Sequence, residues 1–203
     1  MSGNRRSTVA LRKELFQFCR SESLSVDGLR EIFERHRCAP NNYNLNNIED
    51  YNFFFAACRN EFVTEGILRC FLEYFPDAAG ATDRDDGCMP LHMICYNKNA
   101  TRDMVQLLLD ACPESINRPN ASGITPIHFL CANKYVNDNT ALDVLSLFLE
   151  RIPEAARHAD SDGDLPIHAA AAAAASKSPE FCRMLIKACP GSERVSNEEG
   201  FLP

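Results

Sequence analysis

Apolar residues fall in a recurring stripe anchored on a series of prolines. Counting back from Pro76, Pro113, Pro153 and Pro190, the positions nine, eight, five and four earlier are Ile67, Leu68, Phe71, Leu72; Met104, Val105, Leu108, Leu109; Val144, Leu145, Phe148, Leu149; and Phe181, Cys182, Leu185, Ile186. The spacing i, i+1, i+4, i+5 puts all four side chains on one face of an α-helix. A hydroxyl stands ahead of each stripe: Thr64, Thr101 and Ser178 twelve residues before the proline, Thr140 thirteen before it. There a side-chain oxygen accepts from the N–H groups that a helix start leaves unbonded. Thr140 with Asp143 has the form of a capping box. With Pro40 included, the closing prolines lie 36, 37, 40 and 37 residues apart.

A second marker shares this period. Gly87, Gly123, Gly163 and Gly200 are spaced 36, 40 and 37 residues apart, in Gly87-Cys88-Met89-Pro90-Leu91-His92, Gly123-Ile124-Thr125-Pro126-Ile127-His128, Gly163-Asp164-Leu165-Pro166-Ile167-His168 and Gly200-Phe201-Leu202-Pro203. Proline suits the first turn of a helix, so Pro90, Pro126 and Pro166 each predict the start of a short helix. The closing proline stops the second helix of the unit. Each unit therefore reads as turn, short helix, short helix, and an extended connector carrying the glycine tip. Helices this short cannot bury an apolar face alone, but stacked pairs share a continuous core. The expected fold is an all-α solenoid of stacked helix pairs.

Upstream the pattern fades. Phe53-Phe54-Phe55-Ala56-Ala57-Cys58 occupies the first-helix slot without its proline or histidine, while the following stripe and Pro76 keep the register; this is a degenerate repeat. Two further helix-like segments, Leu11 to Arg20 and Val26 to Arg37, are expected to form a capping pair, with Leu29, Ile32, Phe33 and His36 one residue out of phase. The expected organisation is a divergent helical cap over 1–48 and a repeat domain over 49–203, with units of about 49–83, 84–120, 121–160 and 161–197, and the start of a further repeat at 198–203. The third unit carries about four extra residues near Lys134 to Asn139, which predict a longer loop between its helices.

The motif Gly-x-x-Pro-Leu/Ile-His at this period resembles the ankyrin repeat. The resemblance implies short β-hairpin-like tips followed by antiparallel helices, and gives Gly87, Pro90, His92, Gly123, Thr125, Pro126, His128, Gly163, Pro166 and His168 the role of structural motif residues. It implies that each histidine hydrogen-bonds the neighbouring tip, and that partners dock on the concave side formed by tips and first helices. The sequence departs from the family pattern in having Met89, Leu165 and Leu202 where Thr125 stands, so a threonine-to-histidine bond is available in one repeat.

Composition then excludes several function classes. The chain has 203 residues, 45% hydrophobic and 24% charged, an ordinary globular balance. No apolar run is long enough to span a membrane, and no apolar leader segment is read near Arg5, Arg6, Arg12 and Lys13, so a cytoplasmic or nuclear address is expected. With 21 Lys and Arg against 28 Asp and Glu, the formal net charge of −7 speaks against nucleic acid as a partner. His92, His128 and His168 stack one layer apart and do not converge on one ion. Asp160-Ser161-Asp162-Gly163-Asp164 and Asp83-Arg84-Asp85-Asp86-Gly87 look like calcium loops, but the glycine is misplaced and the twelfth positions are Ala171 and Ile94. No phosphate loop and no nucleophile with its base emerges outside the repeat register. The expectation is a non-catalytic protein with no cofactor and no metal.

The alanine run Ala169 to Ala175 fits a first helix. Of the ten cysteines, Cys58, Cys95 and Cys131 share one repeat position, Cys112 and Cys189 another, and Cys182 stands in an apolar stripe, so these six read as small core residues. Cys88, beside a tip, is the one expected to be exposed and reactive. The informative surface is the set of tips, with Arg84, Asp85, Asp86; Asn120, Ala121, Ser122; Asp160, Ser161, Asp162; and Asn197, Glu198, Glu199, of which six are acidic and one basic. These positions read either as hydrated turns or as a partner-binding band. In the second case the partner is a protein with a basic surface, bound by a monomer. Two roles follow: an interaction scaffold, or the regulatory or targeting part of a larger protein such as a kinase or ubiquitin ligase.

Overall fold

The computed structural model describes residues 2–38, 51–173 and 177–203, so Pro40, the expected boundary between cap and repeat domain at 48–49, and Ala174 to Ser176 lie outside the described residues. Ten α-helices follow one another among the described residues: α1 (Ser2–Phe18), α2 (Val26–Arg35), α3 (Asn52–Arg59), α4 (Glu65–Tyr74), α5 (Pro90–Tyr96), α6 (Arg102–Ala111), α7 (Pro126–Ala132), α8 (Asp138–Arg151), α9 (Pro166–Ala172) and α10 (Pro179–Ala188). No strand occurs among the described residues. Odd-numbered helices pack on one another in sequence, α1 on α3 through α7 on α9, and even-numbered helices do the same from α2 to α10. The result is a two-layer solenoid, in which α1 and α2 add one more layer at the amino-terminal end.

Local chemistry sets the helix ends. Oγ1 of Thr64 accepts from the Ile67 N–H at 3.3 Å, Oγ1 of Thr101 from Met104 at 3.2 Å, and Oγ of Ser178 from Phe181 at 3.3 Å. Pro76, Pro113 and Pro153 each open a short 3-10 helix, Pro76–Gly80, Pro113–Asn117 and Pro153–Arg157, before the chain extends, whereas after Pro190 the 3-10 turn begins only at Ser192. The spacing alone predicts an extended connector directly after the proline. Proline's fixed φ and missing N–H suit the first position of such a turn as well as they stop a helix. The turns also plant Ala78 and Ala79, Ser115 and Ile116, and Ala155 and Ala156 in the core.

The third unit corrects another expectation. Its interhelical loop, residues 133–137, is as long as the corresponding 97–101 segment, and the extra residues lengthen α8 to 14 residues against 10 in α6. Asn137 is the cap, its Oδ1 accepting from the Asn139 N–H at 2.9 Å, and Thr140 lies inside the helix. A full extra turn keeps the apolar stripe in phase, whereas a loop insertion would displace the buried Val136 that closes the loop against the core.

Packing changes character along the stack. Around α2, α3 and α4 the core is aromatic: Phe33 stacks on Tyr74 with centroids 4.1 Å apart, and Phe53 lies 5.5 Å from Phe71 and 5.1 Å from Phe75. At the other end, Ala155, Ala156 and Ala170 do the filling. All ten cysteines are free, and Cys58, Cys95 and Cys131 are fully buried in one column. Cys112 is buried too, whereas Cys182 and Cys189 are only partly so, because α10 is the last helix of the stack and is packed from one side.

Candidate functional site

The tips are built by a repeated side-chain-to-backbone device. Asp83, Asn120, Asp160 and Asn197 open successive tips, and each Oδ1 accepts from backbone N–H groups two to five residues on. The bonds are Asp86 and Cys88 to Asp83 at 3.1 and 3.0 Å, Ser122 and Ile124 to Asn120 at 3.0 and 2.9 Å, Asp162 and Asp164 to Asp160 at 2.9 Å each, and Phe201 to Asn197 at 2.8 Å. Glycine closes each turn in the left-handed region, and at Gly123, with φ of +75°, an added Cβ would sit 2.8 Å from the Ser161 nitrogen. Adjacent tips are then tied to one another. The N–H of Ala121 donates to the Asp86 carbonyl at 2.8 Å, that of Ser161 to Ser122 at 3.0 Å, and that of Glu198 to Asp162 at 3.0 Å.

The motif histidines brace this row from below. In each, Nδ1 accepts from a backbone N–H: Met89 to His92 at 2.9 Å, Thr125 to His128 at 3.3 Å, and Leu165 to His168 at 3.1 Å. That fixes the proton on Nε2, which donates to the carbonyl of Ile124 at 3.1 Å, Asp164 at 3.0 Å and Val195 at 3.0 Å respectively. The Thr125 hydroxyl adds a 2.8 Å bond to His128, the one repeat where a threonine precedes the proline. Burial lowers the His92 pKa to about 4 and also lowers that of His128. His158, outside the motif, donates from Nε2 to the Gly123 carbonyl at 3.0 Å.

Of the residues expected to face a partner, Arg84, Asp85, Asp86, Ser122, Asp162, Glu198 and Glu199 are exposed. Asn120 and Asp160 are half-buried and spend a side-chain oxygen on their own turns. Cys88 contradicts the expectation of exposure. It is 2% exposed, its sulfur accepts from the Asn120 amide at 3.4 Å, and burial raises its pKa against the smaller opposing effect of that bond. The neighbouring tip covers it, a contact that the position of Cys88 along the chain does not reveal.

A second ladder went unread in the sequence, although its members keep the same period. Asn60, Asn97 and Asn133 end the first helices of three units. The Asn60 amide donates to the carbonyls of Cys19 and Ser21 at 2.9 and 2.8 Å, Asn97 to Cys58 and Asn60 at 2.9 Å each, and Asn133 to Cys95 and Asn97 at 3.0 and 3.2 Å. In the next layer Ala173 holds this position, and the buried Lys177 ammonium donates instead to the Asn133 carbonyl at 2.7 Å, 5.0 Å above the Phe181 ring. These bonds satisfy the buried helix-end carbonyls of Cys58 and Cys95, and give the Asn60 and Asn97 carbonyls a donor beside the N–H groups of Val63 and Ala100.

The first tip and the loops of the two amino-terminal layers border one concave space, a cavity of about 750 Å³ lined by Phe16, Phe55, Arg59, Phe62, Asp83 and Asp85 among others. Asp83, Asp86 and Cys88 bring three potential metal-binding atoms together, but the Asp83 carboxylate is committed to its turn and to Arg59 at 3.3 Å. Among the described residues no helix is long and apolar enough to cross a membrane. The family model for ankyrin repeats matches residues 91–197 in three copies, slightly more than half of the chain. No curated protein matches the chain.

Proposed function

Because the chain belongs to the ankyrin-repeat family, whose repeats are generic protein–protein interaction modules and typically non-catalytic, we propose that it is a non-catalytic scaffold binding a partner protein on its concave face. The observation that carries this reading is the tip row itself. Asp85, Asp86, Asp162, Glu198 and Glu199 project from turns that are bonded internally and tied to their neighbours, and buried histidines brace the turns that carry Asp162, Glu198 and Glu199. A charged surface on so fixed a frame loses little conformational freedom when it docks. Its sign favours a partner with a basic surface, which would associate faster at low salt.

The test is affinity capture with the intact chain, followed by quantitative binding of each recovered partner to Asp85→Asn/Asp86→Asn/Asp162→Asn. Asparagine keeps the turn chemistry and removes the charge. Weaker binding and a flatter salt dependence support the reading; partners that bind the triple variant as tightly as the parent, with the same salt slope, refute it.

A further inference from the structure

The rim opposite the tips has the reverse character. It is formed by the loops that join first to second helices, and the asparagine bonds stitch those loops together, with Asn99 adding a 2.6 Å bond to the Glu61 carbonyl. Along it, from a loop or from the last turn of the helix that leads into one, each of four successive layers presents an exposed aromatic ring: Phe16 at 37% and Tyr96 at 49% exposure from helices, Phe62 at 44% and Tyr135 at 72% from loops. Cations are interleaved with them. Arg20, Arg59, Lys98 and Lys134 stand against Glu22 and Glu61, a net charge of +2 in a chain of net −7. Lys98 pairs with Glu61, Arg59 reaches across the floor to Asp83, and Arg20 lies 5.5 Å from the Phe16 ring centroid. Lys134 has no ion partner among the described residues.

Large exposed rings contributed one by each of four successive layers and rimmed by charge mark a contact surface more than scattered surface apolars do. Resting on the concave-face reading above, we infer that the groove takes an amphipathic peptide segment in one orientation. Its aromatic or leucine side chains lie against Phe16, Phe62, Tyr96 and Tyr135, its acidic residues face the loop rim, and its basic residues face the tips. Two rims of opposite sign define a direction across the groove, since a segment laid in reversed sets like charges together on both sides. Aromatic rings beside cations also suit single-stranded nucleic acid, but the acidic tips border the same space and repel a phosphate chain.

The experiment is selection of binders from a random peptide display library on the intact chain, with affinities then measured for three variants. Tyr135→Ala and Lys134→Glu alter the loop rim, and Asp85→Asn/Asp162→Asn alters the tips. The expected result is enriched peptides combining aromatic or leucine residues with acidic ones, each losing roughly fivefold or more in affinity on either rim substitution. Lys134→Glu should in turn select peptides with a basic residue in place of an acidic one. Peptides that respond to the tip variant but not to the rim variants leave the concave-face reading standing and overturn this inference. No enrichment, or binding indifferent to every variant, overturns both, as does tighter rim-dependent binding of oligothymidylate.

Discussion

His92 offers a direct test of how the solenoid layers are held. Its ring is 0% exposed, with Nδ1 accepting from Met89 and Nε2 donating to Ile124, so the folded protein holds it neutral at a pKa of about 4. In the unfolded chain it titrates near its ordinary value of ~6.5. The folded value is the lower one, so the unfolded state binds more protons between the two. The histidine's contribution is therefore full above about pH 6.5, declines as pH falls, and levels off below about pH 4, where both states are protonated. Between about pH 7 and about pH 5 these values remove roughly 2 kcal/mol from the unfolding free energy. Urea unfolding followed by circular dichroism at the two pH values measures the loss in the parent and in His92→Gln, whose amide retains a donor towards Ile124. The parent is expected to lose more than the variant by about that amount, all other titrating groups being common to both. An equal loss in the two proteins, or an NMR titration placing the His92 midpoint near its ordinary value, would refute the buried neutral imidazole.

Other consequences are as concrete. Asn97→Ala leaves the buried Cys58 carbonyl without its donor and the Asn60 carbonyl with the Val63 N–H alone, and is expected to cost about 1–3 kcal/mol, read from urea midpoints; a cost below ~0.5 kcal/mol would mean the asparagine bonds are dispensable. Gly123→Ala combines a positive φ with a Cβ 2.8 Å from the Ser161 nitrogen, while Gly200→Ala meets nothing within 4 Å, so the thermal midpoint should fall further for the first. In timed alkylation of the native protein with mass mapping, Cys182 and Cys189 are expected to react before the buried Cys88, and the reverse order would contradict the covered position of Cys88.

Much of the architecture was legible because it is periodic. The prolines, the hydroxyl caps and the glycine tips are local devices, and their effects on φ and on unbonded N–H groups operate within a few residues. The helices opened by Pro90, Pro126 and Pro166 and the caps at Thr64, Thr101 and Ser178 stand where that chemistry puts them. Thr140 failed as a cap because Asn137 reaches an N–H first, a competition decided by where the asparagine-bonded loop releases the chain. Of the tip residues, the turn-forming role of Asn120 and Asp160 is written in local spacing, but whether an oxygen remains for a partner depends on the fold around it.

What the sequence determined by itself, then, is the repeat: its period, its two helices and the sign of charge at its tips, all consequences of short-range backbone chemistry repeated along the chain. Tertiary structure alone decided which surfaces exist. Cys88 is buried and Tyr135 exposed because a neighbouring layer covers one and not the other, and burial is a property of residues brought together from distant positions, 32 apart for Cys88 and the Asn120 that covers it. The same holds for the asparagine ladder and for the two rims of opposite charge. Their members are ordinary polar and aromatic residues until stacking sets them in line.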